Sequence, residues 1–236
     1  GKIESIVEYA RILKTGEGVA PDEEKSEHYY KIASEKGDND GLFNYSEILL
    51  NKVDFSKIKE SEIESFIKKF ADKGDPKACL LYANILYNSG NETQIKQSSY
   101  YYKMSADKGN VTAMNIYANM LYEGDAIDEN KEESAEYFKK AADKGNSTSM
   151  NRYASMIHDG DGIDISIEES LPYFESAANK GNLKAIKRYA DILNENNDFK
   201  NANNYYQIAV SRGDADAMNE YAKNLYNGRG FDSKRP

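Results

Sequence analysis

Asp107-Lys108-Gly109-Asn110-Val111-Thr112-Ala113-Met114-Asn115-Ile116-Tyr117-Ala118-Asn119-Met120-Leu121 sets the reading of the whole chain, because its columns recur from end to end. Gly145-Asn146 heads a second version, continuing to Met150-Asn151-Arg152-Tyr153-Ala154, and Gly37-Asp38, Gly74-Asp75, Gly181-Asn182 and Gly213-Asp214 head four more. Tyrosine follows each glycine at an offset of eight, as Tyr45, Tyr82, Tyr117, Tyr153, Tyr189 and Tyr221, and Gly1 with Tyr9 fits the same frame. Successive glycines lie 36, 37, 35, 36, 36 and 32 residues apart. A period near 36 with this many matched columns marks a repeat array, whose stability comes from stacking neighbours rather than from one central core.

Within each period the apolar pattern predicts two amphipathic helices. Helix A starts just after the glycine, with a small residue at offset four (Ser5, Gly41, Ala78, Ala113, Ser149, Ala185, Ala217). Tyrosine follows at eight, Ala or Ser at nine, and Leu or Ile at twelve (Leu13, Leu49, Leu86, Leu121, Ile157, Leu193, Leu225). Offsets four, eight and twelve climb one helical face. Helix B carries an aromatic pair seven to eight residues before the next glycine: Tyr29-Tyr30, Tyr101-Tyr102, Tyr137-Phe138, Tyr173-Phe174 and Tyr205-Tyr206, with Phe66-Ile67 as the variant copy. Glycine then supplies the left-handed residue that stops helix B, and Asp or Asn caps the next helix A. Pro76 falls at a first helical position, where a missing N–H costs nothing. The tyrosines are expected to be structural, with hydroxyls near helix ends.

The A-to-B turn carries Gly16-Glu17-Gly18, Gly160-Asp161-Gly162 and Gly228-Arg229-Gly230, with Gly124-Asp125-Ala126 a near match. Asp22-Glu23-Glu24-Lys25 and Asp128-Glu129-Asn130-Lys131 open the following B helices. Asn51 to Lys57 replaces the glycine turn in the second copy, and Asn194 to Asp198 shortens it in the sixth. These columns resemble the Sel-one-like repeat (SLR) family, relatives of the tetratricopeptide repeats, over essentially the whole chain. Tyr-Ala stands where that family usually has Leu-Gly. A plain tetratricopeptide array would have a 34-residue period and no regular Gly-x-Gly turn. The resemblance implies an all-α fold: a right-handed α-solenoid superhelix of antiparallel helix pairs with A helices on the concave wall. Repeats are expected at 1–36, 37–73, 74–108, 109–144, 145–180 and 181–212, with a partial copy at 213–236. Gly228 to Lys234 reads as an A-to-B turn with no B helix after it, so a fragment of a longer protein, or an incomplete last hairpin open to self-association, is expected.

Composition narrows function further. A net charge of −9 over 236 residues, with no basic cluster, argues against nucleic-acid or anionic-membrane partners. No apolar run approaches the roughly 18 residues of a membrane helix, so direct membrane insertion is not expected. Cys79 is the single cysteine, which excludes an internal disulfide framework and suits a reducing, cytoplasmic setting. Asn44, Asn91, Asn110 and Asn146 begin Asn-x-Ser/Thr triplets, but the last two occupy the cap column.

Catalysis has little to work with. His28 and His158 are the only histidines, at different offsets in different repeats. His28 is expected on an outer B face, and His158 at the end of an A helix, where a cation meets the dipole favourably. No nucleophile or nucleotide motif is present, and no cofactor is implied. His158 to Asp164 resembles a calcium loop only superficially: it lacks alternating carboxylates and the sixth-position glycine. The better candidate is the A-helix face turned from the core. Offsets six and ten lie about 40° apart and one turn above another. They carry Asn115, Asn151 and Asn219 at six, and Asn84, Asn119 and Ser155 at ten, beside Leu80 and Asp191. Asparagine both donates and accepts, so such a ladder can hold an extended peptide backbone. Tyr87, Tyr122 and Tyr226 at offset thirteen add area at the groove edge, and Arg152 and Arg188 suit an acidic group on the partner. The expected function is a non-enzymatic scaffold or adaptor for a protein or peptide. Resembled arrays serve as adaptors in signalling, protein quality control and membrane-associated complexes. The alternatives are a small-ligand-binding or hydrolytic solenoid, or the regulatory array of a larger enzyme such as a kinase. The paired cysteines of relatives linked to β-lactams are missing.

Overall fold

A computed structural model describes residues 2–52 and 60–231, with side chains described except at 49–52, 60–63 and 66. Every regular element among these residues is an α-helix. The A helices are α1 (Lys2–Thr15), α3 (Asn39–Lys52), α5 (Pro76–Asn88), α7 (Val111–Glu123), α9 (Ser147–Asp159), α11 (Leu183–Glu195) and α13 (Ala215–Tyr226). The B helices are α2 (Glu23–Glu35), α4 (Glu60–Ala71), α6 (Glu92–Asp107), α8 (Lys131–Asp143), α10 (Ile167–Asn179) and α12 (Phe199–Ser211). α3 continues through Lys52, so part of the variant turn expected from Asn51 is helical. The rest of that turn, Gly1, and the end from Asp232 onward lie outside the described residues, as do the side chains of Leu49 and Phe66. The chain divides into two compact units, Gly1–Tyr117 and Ala118–Pro236, with the division inside α7.

One corner recurs at every B-to-A junction. Gly37, Gly74, Gly109, Gly145, Gly181 and Gly213 all have φ between +79° and +94°. At Gly109 the amide donates to the Ala106 carbonyl (2.9 Å) and the next amide, of Asn110, to Ser105 (3.1 Å). That is the Schellman arrangement, and the other five corners repeat it. The following Asp or Asn then caps helix A: Asp38 accepts from the Gly41 amide, Asp75 from Ala78, Asn110 from Ala113, Asn146 from Ser149, Asn182 from Ala185 and Asp214 from Ala217. At the A-to-B turn the first residue of the B cap closes the hairpin by donating its amide to the offset-twelve carbonyl. Asp22 reaches Leu13, Asn130 reaches Leu121 and Ser166 reaches Ile157. The cap of α8 is Asn130 rather than the Asp128 that opens the acidic run.

Within each unit, helices pack on their sequence neighbours. In the first, α1–α2, α2–α3, α4–α5 and α5–α6 form contacts, and the A helices α3 and α5 touch. In the second, contacts run from α8 through to α13. In the pairs α1–α2, α5–α6, α9–α10 and α11–α12, a short turn between helices packed along their length makes the two antiparallel. The offset-four residues Ala78, Ala113, Ser149, Ala185 and Ala217 are at most 2% exposed, and Ala10, Ala83, Ala118, Ala154 and Ala190 at offset nine are fully buried. Small side chains there let helix axes approach, and the tyrosines fill the remaining space.

The tyrosine column has a geometry that the spacing left open. Tyr9, Tyr82, Tyr153 and Tyr189 each meet the first aromatic of the next B helix edge-on, with ring centroids 4.8–5.0 Å apart. The hydroxyls of those B-helix tyrosines reach the end of the preceding B helix: Tyr101 to Asp72 (2.8 Å), Tyr173 to Asp143 (2.9 Å) and Tyr205 to Asn179 (3.1 Å). Lys103 and Lys139, fourteen residues before Tyr117 and Tyr153, lie over those rings at 5.1 and 4.9 Å. Tyr101, Tyr173 and Tyr205 through their hydroxyls, and Tyr117 and Tyr153 through their lysines, therefore tie each of these hairpins to its neighbour, as a nearest-neighbour array requires.

Ser46 is the exception in the offset-nine column. It is 1% exposed and its hydroxyl has no hydrogen-bond partner among the described residues. A buried hydroxyl without a partner costs about 1–3 kcal/mol. Ser46→Ala, which restores the residue found in the other buried copies, is expected to stabilise the first unit by about 1 kcal/mol. Urea unfolding of wild type and variant checks this, and no rise in midpoint would refute it.

A candidate partner-binding cleft

A cleft of about 670 Å³ opens in the second unit between the A helices α7, α9 and α11. Five side chains expected on the groove converge there: Tyr122, Asn151, Arg152, Ser155 and Arg188. Each is half-buried. Asn151 and Ser155 stand one helical turn apart on α9, so both face the same side.

Tyr122 is held in place rather than left at an edge. Its hydroxyl donates to Asp161 Oδ2, and Lys131 Nζ donates to the other oxygen of the same carboxylate at 2.7 Å. Those two hydrogen bonds, Lys131 first, hold the Asp161 carboxyl below its ordinary range and so keep it ionised. The same bond to Asp161 pushes the Tyr122 phenol up. Lys131 and Arg152 lie over the Tyr122 ring at 5.3 and 5.5 Å from its centroid. Arg188 pairs with Asp159 at 2.8 Å. Lys187 pairs with Asp191 at 2.7 Å and is raised chiefly by that bond.

The remaining expected residues lie elsewhere, except Asp191, which also lines the cleft. Asn84 accepts a 2.8 Å hydrogen bond from the buried Tyr102 hydroxyl, which ties α5 to α6. Asp191 accepts from Tyr206 in the same way, at 2.9 Å. Offset ten is thus an internal acceptor wherever the second aromatic of the pair is tyrosine in these two copies, while Phe138 and Phe174 leave Asn119 and Ser155 without that donor. Asn115 and Asn119 are half-buried and already engaged within the protein. Asn219 is exposed on α13, outside the cleft lining. Of the tyrosines at offset thirteen, Tyr226 is 91% exposed, and Tyr87 meets Tyr102 edge-on at 6.4 Å.

Sequence reasoning passed over Asp161, Lys131 and Lys184. A signal for the first was present: the middle residue of the glycine turn is acidic in Glu17, Asp125 and Asp161. In the fifth copy that acid reaches back to the preceding hairpin. His158 does not simply end its helix: its Nδ1 lies 3.1 Å from Ser170 Oγ on α10, and its ring meets Phe174 edge-on. His28 is exposed beside Tyr29, as expected of an outer B face. Cys79 is fully buried, with Sγ 3.3 Å from the Ala71 carbonyl, and burial pushes its thiol up to about 11. No helix among the described residues is long and apolar enough to cross a membrane.

Comparison with known proteins bears on this fold. The Sel1 repeat model matches residues 3–38, 76–110, 111–146 and 147–182, more than half of the chain. The crystal structure of c5321, a protective antigen of uropathogenic Escherichia coli strains displaying an SLR fold, is similar with a TM-score of 0.82 at 21% identity. The match covers 96% of this chain and 49% of that one, so the chain spans about half the length of that relative. A Sel1 repeat protein from Oxalobacter formigenes is similar with a TM-score of 0.70 at 18% identity, over 88% of this chain and 84% of that one. No curated protein matches the chain. Four matched repeats, and the helix pairs, corners and columns that produce them, carry one conclusion: the chain belongs to the Sel1 repeat family.

Proposed function

We propose that this chain is a non-catalytic cytoplasmic scaffold that holds an extended segment of a partner protein against its A helices. Sel1 repeats generally mediate protein interactions, and the all-helical array suits that role. The observation that carries the reading is the convergence of Asn151, Ser155, Arg152, Arg188 and Tyr122 on one cleft. Asn151 and Ser155 offer donors and acceptors of the kind a peptide backbone needs, and Tyr122 offers a flat, braced wall. The geometry around Asp161 supports a binding role over a metal loop, because its carboxylate is spent on Tyr122 and Lys131.

The test is the double variant Asn151→Ala/Ser155→Ala. Losing two hydrogen-bonding side chains is expected to weaken a purified partner about tenfold by calorimetry. Thermal stability is expected to stay almost unchanged, since neither side chain is in the packed core. A partner that binds the double variant as tightly as wild type would refute this cleft as the binding surface.

A further inference from the structure

We infer that the cleft between α7, α9 and α11 receives a carboxylate of the partner segment, held by Arg152 and Lys184, with an apolar side chain beside it. This rests on the scaffold reading and names the chemistry of its ligand. Four cations line the cleft, Arg152, Lys184, Lys187 and Arg188, and so do four carboxylates. Every one of the carboxylates is already committed. Asp159 holds Arg188, and Asp161 holds Tyr122 and Lys131. Asp191 holds Lys187 and Tyr206, and Asp214 caps α13 through the Ala217 amide. Two cations are left over. Among the described residues, neither Arg152 nor Lys184 pairs with a carboxylate.

Their settings differ in a useful way. Arg152 is half-buried and lies over the Tyr122 ring, so its face is occupied while its N–H edge remains available. That ring is itself fixed by Asp161, which aims the guanidinium without neutralising it. Lys184 is exposed in the first turn of α11, next to Leu183. A guanidinium on α9 and an ammonium on α11, both lining the cleft with Asn151, supply the charge-assisted donors that a carboxylate accepts. Leu183 is 46% exposed beside them and Met156 lines the floor, which gives an adjacent apolar contact.

The charge balance of the cleft disfavours more highly charged ligands. A phosphoryl group carries about −1.5 to −2 at neutral pH. The two spare cations face four carboxylates in the walls and a chain of net charge −9, so each further negative charge on the ligand is repelled. A single carboxylate satisfies both cations at the smallest cost.

The experiment probes the full chain with an array of short random synthetic peptides, each made with a free and an amidated C-terminus. Bound peptides are then remade with Glu→Gln and Asp→Asn changes, one at a time, and measured by fluorescence anisotropy. Neutralising one particular carboxylate is expected to cost wild type about ten- to hundredfold in affinity, the worth of a charged hydrogen bond. Amidation carrying the loss identifies a C-terminal carboxylate, and a side-chain change carrying it identifies Asp or Glu. The same neutralisation is expected to cost Arg152→Gln/Lys184→Gln almost nothing, which is the coupling that a direct contact requires. Arg152→Lys is expected to retain part of the effect, and melting curves confirm that the variants fold. Peptides that bind without regard to any carboxylate, yet are lost with Asn151→Ala/Ser155→Ala, would overturn the carboxylate assignment and leave the scaffold standing. Binding that requires a phosphorylated peptide would overturn it equally. No bound peptide at all would overturn it together with the proposal of a peptide groove.

Discussion

Phe174→Ala is expected to destabilise the second unit by about 3–5 kcal/mol, the usual cost of emptying a large aromatic site in a core. Phe174 is fully buried, packed against Ala154 of α9 and Ile192 of α11, with the His158 ring edge-on at 5.9 Å. Collapse into the vacated space is restricted because its neighbours include alanine, which has no side chain long enough to swing inward. Phe174 belongs to the B helix that separates the two A helices in sequence, so its loss loosens α9 against α11. Those helices carry Arg152 and Lys184, and ligand affinity should fall along with stability. Guanidinium unfolding followed by circular dichroism measures the effect. A loss below about 1 kcal/mol would mean that the site repacks and that the core is less constrained than its contacts imply.

The second large effect is expected at Gly162. Its φ is +79°, and an added Cβ would lie 2.2 Å from the Cβ of Lys131 and 3.3 Å from the Lys131 backbone. Alanine there pays about 1–2 kcal/mol for the left-handed conformation. It pays a further 1–3 kcal/mol, roughly, to push the turn off the start of α8. Gly162→Ala should therefore cost the second unit about 2–5 kcal/mol. It should also dislodge Asp161, and with it the brace on Tyr122. Gly18 provides the comparison. It holds the same place in the first turn, with φ +77°, but nothing lies within 4 Å of its missing Cβ. Gly18→Ala should cost its own unit only the conformational part. Thermal unfolding of both variants separates the two contributions. Equal losses would show that packing of the turn on α8 contributes nothing.

These glycines mark the limit of what spacing can reveal. Gly16-Glu17-Gly18 and Gly160-Asp161-Gly162 are alike as sequence, and both turns adopt the same backbone signs. Only the second is pressed against another hairpin, and a local pattern contains no information about that neighbour. Ala126 makes the same point from the other side: it takes a φ of +65° in the glycine position of the fourth turn. The near match was a turn all the same, because the hairpin closure from Asn130 to Leu121 holds it.

The candidate site was legible in part, for a comparable reason. Helical periodicity assigns Asn84, Asn151 and Ser155 to one side of their helices, and it does so correctly as a statement about direction. It cannot say which of them a neighbouring tyrosine will claim. Tyr102 takes Asn84, whereas Phe174, in the same column of a later copy, has no hydroxyl with which to take Ser155. Arg188 was read as available to a partner, and Asp159, twenty-nine residues earlier, pairs with it.

By itself the sequence determined the period, the two helices in each repeat, the corners between them and the residues that face inward. All of these follow from interactions within a few residues: a left-handed glycine, a cap three positions before a small residue, an apolar stripe with helical spacing. The tertiary structure alone decided which polar and charged side chains are spent inside the protein and which remain for a ligand. That outcome depends on pairs such as Tyr122 with Asp161, Arg188 with Asp159 and Lys187 with Asp191, whose satisfaction is set where one helix lies against another. Charge left over in a cleft is a difference between two sums, and only packing brings both sums to the same place.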